Sequence, residues 1–258
     1  MALGGSYATL AFVLCAAFLA GFIDSIVGGG GLIQVPALFA GYADIAPPEL
    51  LGTNKLGSLC GTTSAVYRYA RFVRIPWRSL APAAALAFAA SLVGASWVSS
   101  VPPAVFRPLV PIMLALVLGY VLWHRDLGAS HEPVVLTRRR GLLASAGICG
   151  IGLYDGFFGP GTGSFLMLLF IRVHGFDFLH ASAAARLVNA ATNAGALVYF
   201  GAHSQIHWVL GLCLGLSNAS GSILGIRVAR RHGTPFVRIL FIAVVAALIA
   251  KTAWDAAR

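Results

Sequence analysis

The sequence predicts an all-α polytopic membrane protein built from two inverted-topology repeats of about five segments each, with discontinuous helices at two glycine-rich breaks. Three observations carry that expectation. Of 258 residues, 59% are hydrophobic and 10% charged, with a mean hydropathy of +0.85, whereas an ordinary soluble domain is about 25% charged. The apolar residues come in blocks of about 20 instead of alternating, which suits spanning helices and not an outer-membrane barrel. The second half of the chain also restates the first at a fixed displacement.

The blocks run roughly over 7–27, 32–43, 50–70, 79–99, 104–123, 141–158, 164–175, 181–200, 206–228 and 236–254. The first follows Met1 to Ser6, a start with no basic residue and no small-residue cleavage site, so it reads as a retained spanning helix and not a signal peptide. The second and seventh hold only about 12 apolar residues, about 18 Å of helix against a hydrocarbon core of about 30 Å. They are expected to finish their crossing in irregular backbone. Trp77, Trp123, Trp208 and Trp254 fall at block ends, as interfacial anchors do. One long polar connection, 125–140, with His131, Glu132, Pro133 and Arg138 to Arg140, separates an N-terminal repeat (1–124) from a C-terminal one (141–258).

A shift of 131 residues carries Asp24 to Asp155, Gly21 to Gly152, Gly28 to Gly159, Gly30 to Gly161, Leu56 to Leu187 and Trp77 to Trp208, and matches Lys55 with Arg186. Paired Asp, Gly and Trp residues in one register point to an internal duplication. The basic residues break the likeness in an informative way. Arg68, Arg71, Arg74 and Arg78 follow the third block, but their counterpart around 201–208 has no Lys or Arg. One connection later, Arg227, Arg230, Arg231 and Arg238 make the second copy basic, against a single arginine in 99–107. If basic loops face the cytoplasm, equivalent loops lie on opposite sides, which requires an odd number of crossings per half and inverted copies with both termini outside.

The net charge of +10 is thus a topology signal, and no nucleic-acid partner is expected. Cys15, Cys60, Cys149 and Cys213 sit singly inside apolar blocks and read as packing residues. His124 and His131 flank the central connection, and His174, His180, His203 and His207 fall near loops, so no metal set and no cofactor are expected.

Short, Gly-interrupted segments at matching places in two halves are the best sequence pointer to a transporter's binding site. The first break, Asp24 to Pro36, contains Gly28, Gly29, Gly30 and Gly31, with Gln34 following. Four successive glycines are entropically costly in a helix, so the chain should open there. Amides beyond the break become the unpaired N-terminal donors of the next half-helix, suited to an anion. The second break runs from Asp155 through Gly159, Pro160 and Gly161 to Thr162, Gly163 and Ser164; its proline permits helix initiation and its two hydroxyls can cap or contact ligand. Close helix packing is the competing reading of these glycines.

Beside the breaks, Lys55, Ser58 and Thr62 in one copy and Arg186, Asn189 and Asn193 in the other share the spacing i, i+3, i+7, with Asn54 adjacent, so each set forms a polar stripe on one helix face. Ionisable residues in spanning helices are functional candidates by default. Lys55 and Arg186 would bind a sulfonate, sulfite or carboxylate, Arg with the better geometry; alternatively they are counter-ions to Asp24 and Asp155. The two aspartates are the candidates for proton coupling. Ser58 and Ser164 lie near glycines but in no G-x-S-x-G elbow, so no enzyme is expected, while a passive anion channel could use the same cradle.

At Asp24 to Pro36, Gly52-Thr53-Asn54-Lys55 and Tyr154 to Ser164, the sequence resembles the sulfite exporter TauE/SafE family over nearly the whole chain. The resemblance implies a bacterial inner-membrane permease for sulfite, sulfonate or other organosulfur anions, with export as the direction. Members often carry a fuller glycine run in the second copy, where this chain has Pro160 and Thr162.

Overall fold

The structure is a computed structural model that describes residues 7–42, 44–98, 134 and 137–256, with side chains beyond His232 described only at Phe236, Ile239, Ile242 and Ala243. It is built from α1 (Tyr7–Val27), α2 (Gly31–Gly41), α3 (Pro47–Tyr69), α4 (Trp77–Ser96), α5 (Arg138–Phe157), α6 (Thr162–His174), α7 (Phe178–Ala202) and α8 (Trp208–Ala256), with no strand among the described residues. The fifth apolar block, 104–123, lies outside them.

Local chemistry sets the boundaries. Pro47 and Pro48 open α3 where a missing N–H does no harm, Glu49 sits in its positive first turn and Arg68 in its negative last turn. Thr137 caps α5 by accepting from the Arg140 amide at 3.4 Å, and Asp177 caps α7 by accepting from the His180 amide at 2.7 Å. Arg138 to Arg140, which the sequence reading places in the connection, therefore form the first turn of α5. Gly175, at φ +71°, ends α6 in the left-handed conformation that glycine adopts freely.

Element starts repeat at the displacement found in the sequence: Tyr7, Gly31, Pro47 and Trp77 open α1 to α4, and 131 residues on, Arg138, Thr162, Phe178 and Trp208 open α5 to α8. Packing is crosswise between the halves. α1 lies against α8 and α5 against α4; α3 lies against α8 and α7 against α4; α3 and α7 meet at the centre. Small residues let backbones touch at equivalent places: Gly21 abuts Asn218 and Gly152 abuts Ala87, while Gly94 abuts Leu153 and Gly225 abuts Phe22. Gly52, near the start of α3, meets Phe200 at the end of α7, whereas Val73, just past α3, lines one cavity with His180 near the start of α7. These two matching helices therefore run antiparallel.

Among the described residues three segments are long and apolar enough to cross a membrane, Tyr7–Val27, Trp77–Ser96 and Trp208–His232; α2 and α6 are apolar but short. With 11 and 13 residues they extend about 17 and 20 Å. Trp77 and Trp208 open α4 and α8 and are about half exposed, as anchors at a membrane surface should be. Trp123 lies outside the described residues, as does the Trp254 side chain.

Two expectations need correcting. The ninth and tenth blocks are not separated by a basic loop: α8 is one helix of 49 residues, about 74 Å long, more than twice the hydrocarbon core. The helix runs on through Gly233, Thr234 and Pro235, which lie between the two blocks, although glycine and proline are the poorest helix formers. Cys15 is also not a packing residue, since it is exposed on α1, while Cys60, Cys149 and Cys213 are half-buried.

Candidate functional site

Both breaks open where the glycines predict. α1 ends at Val27 and α2 starts at Gly31; α5 ends at Phe157 and α6 starts at Thr162. Gly28 and Gly159, equivalent in the two halves, turn the chain with φ of +90° and +94°, a region that L side chains avoid. The breaks touch. The Ser164 amide donates to the Gly28 carbonyl at 3.2 Å and its hydroxyl to the Val27 carbonyl at 3.0 Å, and Gly28 lies so close to Gly163 that neither tolerates a side chain.

The four ionisable residues pair across the halves. Lys55 Nζ lies 2.9 Å from Asp155 Oδ2, and Arg186 Nη1 lies 2.8 Å from Asp24 Oδ2. Each cation also donates to the backbone carbonyl of its aspartate. Those carbonyls belong to the last turns of α1 and α5, whose partial negative charge and orphaned acceptors a cation satisfies. The counter-ion reading of Lys55 and Arg186 thus describes the resting geometry: each half's stripe closes the other half's broken helix.

This pairing leaves binding capacity unused. Arg186 is fully buried, yet among the described residues its Nε and Nη2 have no hydrogen-bond partner. Those two atoms form the side edge of the guanidinium, the fork that grips a planar or branched oxyanion with two parallel bonds. Asn54 Oδ1 and Gln34 Nε2 are likewise buried without partners. A buried donor or acceptor left unsatisfied costs about 1–3 kcal/mol, so each such group calls for a physical reason.

A small cavity sits where the breaks and stripes converge. Of the predicted site residues, Asp24, Gly28, Gly30, Gly31, Asn54 and Lys55 line it from the first half, with Ser58. Asp155, Gly159, Gly161, Thr162, Asn189 and Asn193 line it from the second. Its volume of about 20 Å³ holds one water. The site is closed in this conformation.

The remaining candidates lie beside the cavity and not on it. Gly29 completes the first turn-out, Arg186 stands behind Gly163, and Thr62 spends its hydroxyl on the Ser58 carbonyl at 2.9 Å. Gln34 accepts from Asn218 Nδ2 at 2.7 Å. The two hydroxyls of the second break do not cap α6: Thr162, on the cavity, donates to the Gly159 carbonyl at 2.7 Å, and Ser164, beside it, to the Val27 carbonyl. Pro160 does not start the helix either. It precedes the capping Gly161, and its carbonyl accepts from the Tyr154 hydroxyl at 2.6 Å. Asp24 Oδ1 accepts from the Gly30 amide at 3.3 Å, so one donor expected for an anion is already occupied.

Sequence reasoning passed over Asn218 and Gly163, both of which line the cavity. It also missed a lock at one end of the site, where the Tyr69 hydroxyl donates to the Ser25 carbonyl at 3.0 Å and meets Ser182 Oγ at 3.3 Å, while Ser182 donates to the Ile26 carbonyl at 2.6 Å.

Broken apolar helices meeting at a buried, charge-lined cavity define a membrane transport protein of the discontinuous-helix kind. The family described as Sulfite exporter TauE/SafE matches residues 13–252, and the chain belongs to it. It is 37% identical over 246 residues to the probable membrane transporter protein ORF9 of a Sinorhizobium species, covering 95% of this chain and 93% of that protein. It is 36% identical over 241 residues to the probable membrane transporter protein YfcA of Escherichia coli strain K12, covering 93% and 87%. A probable membrane transporter protein of Haemophilus influenzae is 32% identical over 247 residues, 95% of each chain. No solved structure matches the chain.

Proposed function

We propose that this protein is a secondary transporter that exports small organic or sulfur-containing anions, such as sulfite or sulfonates, across the bacterial inner membrane by alternating access, with protons coupled through Asp24 and Asp155. The observation that carries the reading is Arg186: a fully buried cation with two unpartnered donors, one glycine away from a cavity made by two helix breaks. An anion there would share the guanidinium with Asp24 and draw on the positive N-terminal ends of α2 and α6.

The antiparallel run of α3 and α7 supports two inverted halves that rock against each other around this site. A cavity of one-water size supports a carrier over an open channel, because a solute must move the halves apart to enter. Arg71, Arg74 and Arg78 lie on the cytoplasmic side and the N-terminus is periplasmic; the unbroken α8 removes the return crossing that a periplasmic C-terminus requires, and the two halves form one integral domain.

Purified protein in liposomes, offered sulfite, sulfoacetate, taurine and simple carboxylates with and without a pH difference, tests the reading. Saturable uptake of an oxyanion at carrier rates, enhanced by the pH difference, is expected. Failure to move any oxyanion, together with uptake of a cation, overturns it.

A further inference from the structure

A second cavity, of about 360 Å³, lies between the turn after α3 and the turn before α7, and shares no lining residue with the central one. Its size falls at the lower end of the range for small-molecule sites, about 300–1,000 Å³. Val73, Ile75, Phe176 and Ala184 give it apolar walls; Arg74 and His174 are polar residues at its edge.

His174 is the informative residue. It is more than nine-tenths buried, lines the cavity, and its Nδ1 has no hydrogen-bond partner among the described residues. Its ring is fixed between Phe170 and Phe176, with centroids 5.0 and 5.6 Å away. In the tautomer that protonates Nδ1, it offers an anion one rigid donor in apolar surroundings. The nearby acid is engaged: Asp177 pairs with His180 Nδ1 at 2.9 Å and caps α7. The cavity therefore faces Arg74 and the His174 donor.

The geometry points to a second binding site here, for a small organic anion that carries an apolar body, such as an aromatic or branched sulfonate or carboxylate. The anionic group meets His174 Nδ1 and Arg74, and the body lies on Val73, Ile75 and Phe176. An inorganic oxyanion would leave those walls uncovered and binds poorly. The next turn of α7 belongs to the central site, where Ser182 donates to the Ile26 carbonyl and Arg186 pairs with Asp24. Occupancy of this cavity is thus a separate event, whatever the central site carries.

Titration calorimetry with benzenesulfonate and full-length protein in lipid nanodiscs tests the assignment. Saturable binding is expected, at least tenfold weaker for inorganic sulfite at this site. Ala184→Trp fills the cavity and should weaken benzenesulfonate at least tenfold. Arg74→Glu, an exposed change that leaves the core intact, should weaken it about fivefold. Asn193→Asp puts a negative charge in the central cavity and should leave it unchanged. Absence of saturable binding, wild-type affinity in either of the first two variants, or loss in Asn193→Asp overturns the proposal; should Ala184→Trp fail to fold, Arg74→Glu decides.

Discussion

Lys55 and Asp155, 100 residues apart in sequence and both almost wholly buried, form an ion pair of 2.9 Å that joins the third helix of one half to the broken first helix of the other. The same shift that relates the halves turns this pair into Arg186 and Asp24, at 2.8 Å. The pairs are not equivalent in chemistry. An ammonium is a compact point charge on a flexible stem, whereas a guanidinium is a planar fork of five donors. The Arg186 side chain therefore keeps donors beyond the carboxylate it holds, at Nε and Nη2.

Breaking the Lys55 pair on one side should cost far more than removing both charges. Lys55→Met leaves Asp155 buried without a cation, a loss on the order of 3–5 kcal/mol. Lys55→Met combined with Asp155→Leu removes the uncompensated charge and should recover most of that stability without recovering transport. Thermal unfolding in detergent, read for both single variants and the double, checks this. Additive losses in the double variant would mean that the two side chains act independently.

Arg186→Lys separates holding the fold from holding the solute. A lysine can still pair with Asp24, so the folded yield should stay near wild type. It lacks the free edge made by Nε and Nη2, and two charge-assisted hydrogen bonds at about 1.5–3 kcal/mol each are at stake. Even partial loss of one raises the half-saturating anion concentration by about 10- to 100-fold in liposome uptake.

Much of this arrangement was legible in the residues. Glycine runs cannot stay helical in lipid, so both breaks could be located, and the i, i+3, i+7 spacing placed Asn189 and Asn193 on the face that does line the cavity. The partner of each cation could be offered only as an alternative, because pairing across 100 or more residues depends on how the halves dock. Asn218 left no signal: it is one amide within a long apolar block, and its counterpart is Ala87, so the repeat that exposed the other residues hid it. The continuity of α8 was missed for a different reason. Charge patterning reports where a chain meets water but not whether it turns there.

Glycines at the breaks and glycines on the helix surface should respond in opposite directions to alanine. At Gly28 and Gly159, with φ of +90° and +94°, a side chain is strained by about 1–3 kcal/mol before any collision. A Cβ at Gly159 would also lie 2.7 Å from Lys55 Nζ. At Gly141 and Gly150 a Cβ meets nothing within 4 Å on α5, and alanine should stabilise by about 0.5–1 kcal/mol through helix propensity. Melting temperatures of the four variants in detergent give the comparison. A tolerated Gly28→Ala would remove the conformational argument for the break.

Arg230 and Arg71 should face the same aqueous compartment. The Arg230 guanidinium lies 5.5 Å over the Phe72 ring, and Arg71, next to Phe72, is exposed with its own guanidinium 4.4 Å over Tyr67. Two basic segments from equivalent halves thus gather at one end of the molecule, although they occupy different connections in the two copies. If that end is cytoplasmic, a membrane-impermeant thiol reagent should label Arg71→Cys and Arg230→Cys in inverted vesicles and leave both unlabelled in intact spheroplasts. A cysteine at Trp208, at the start of α8 and about 25 residues (about 37 Å) from His232, should show the reverse pattern. Labelling of Arg71→Cys and Arg230→Cys from opposite sides would break the link between the charge pattern and inverted halves, and with it the rocking motion built on their antiparallel core.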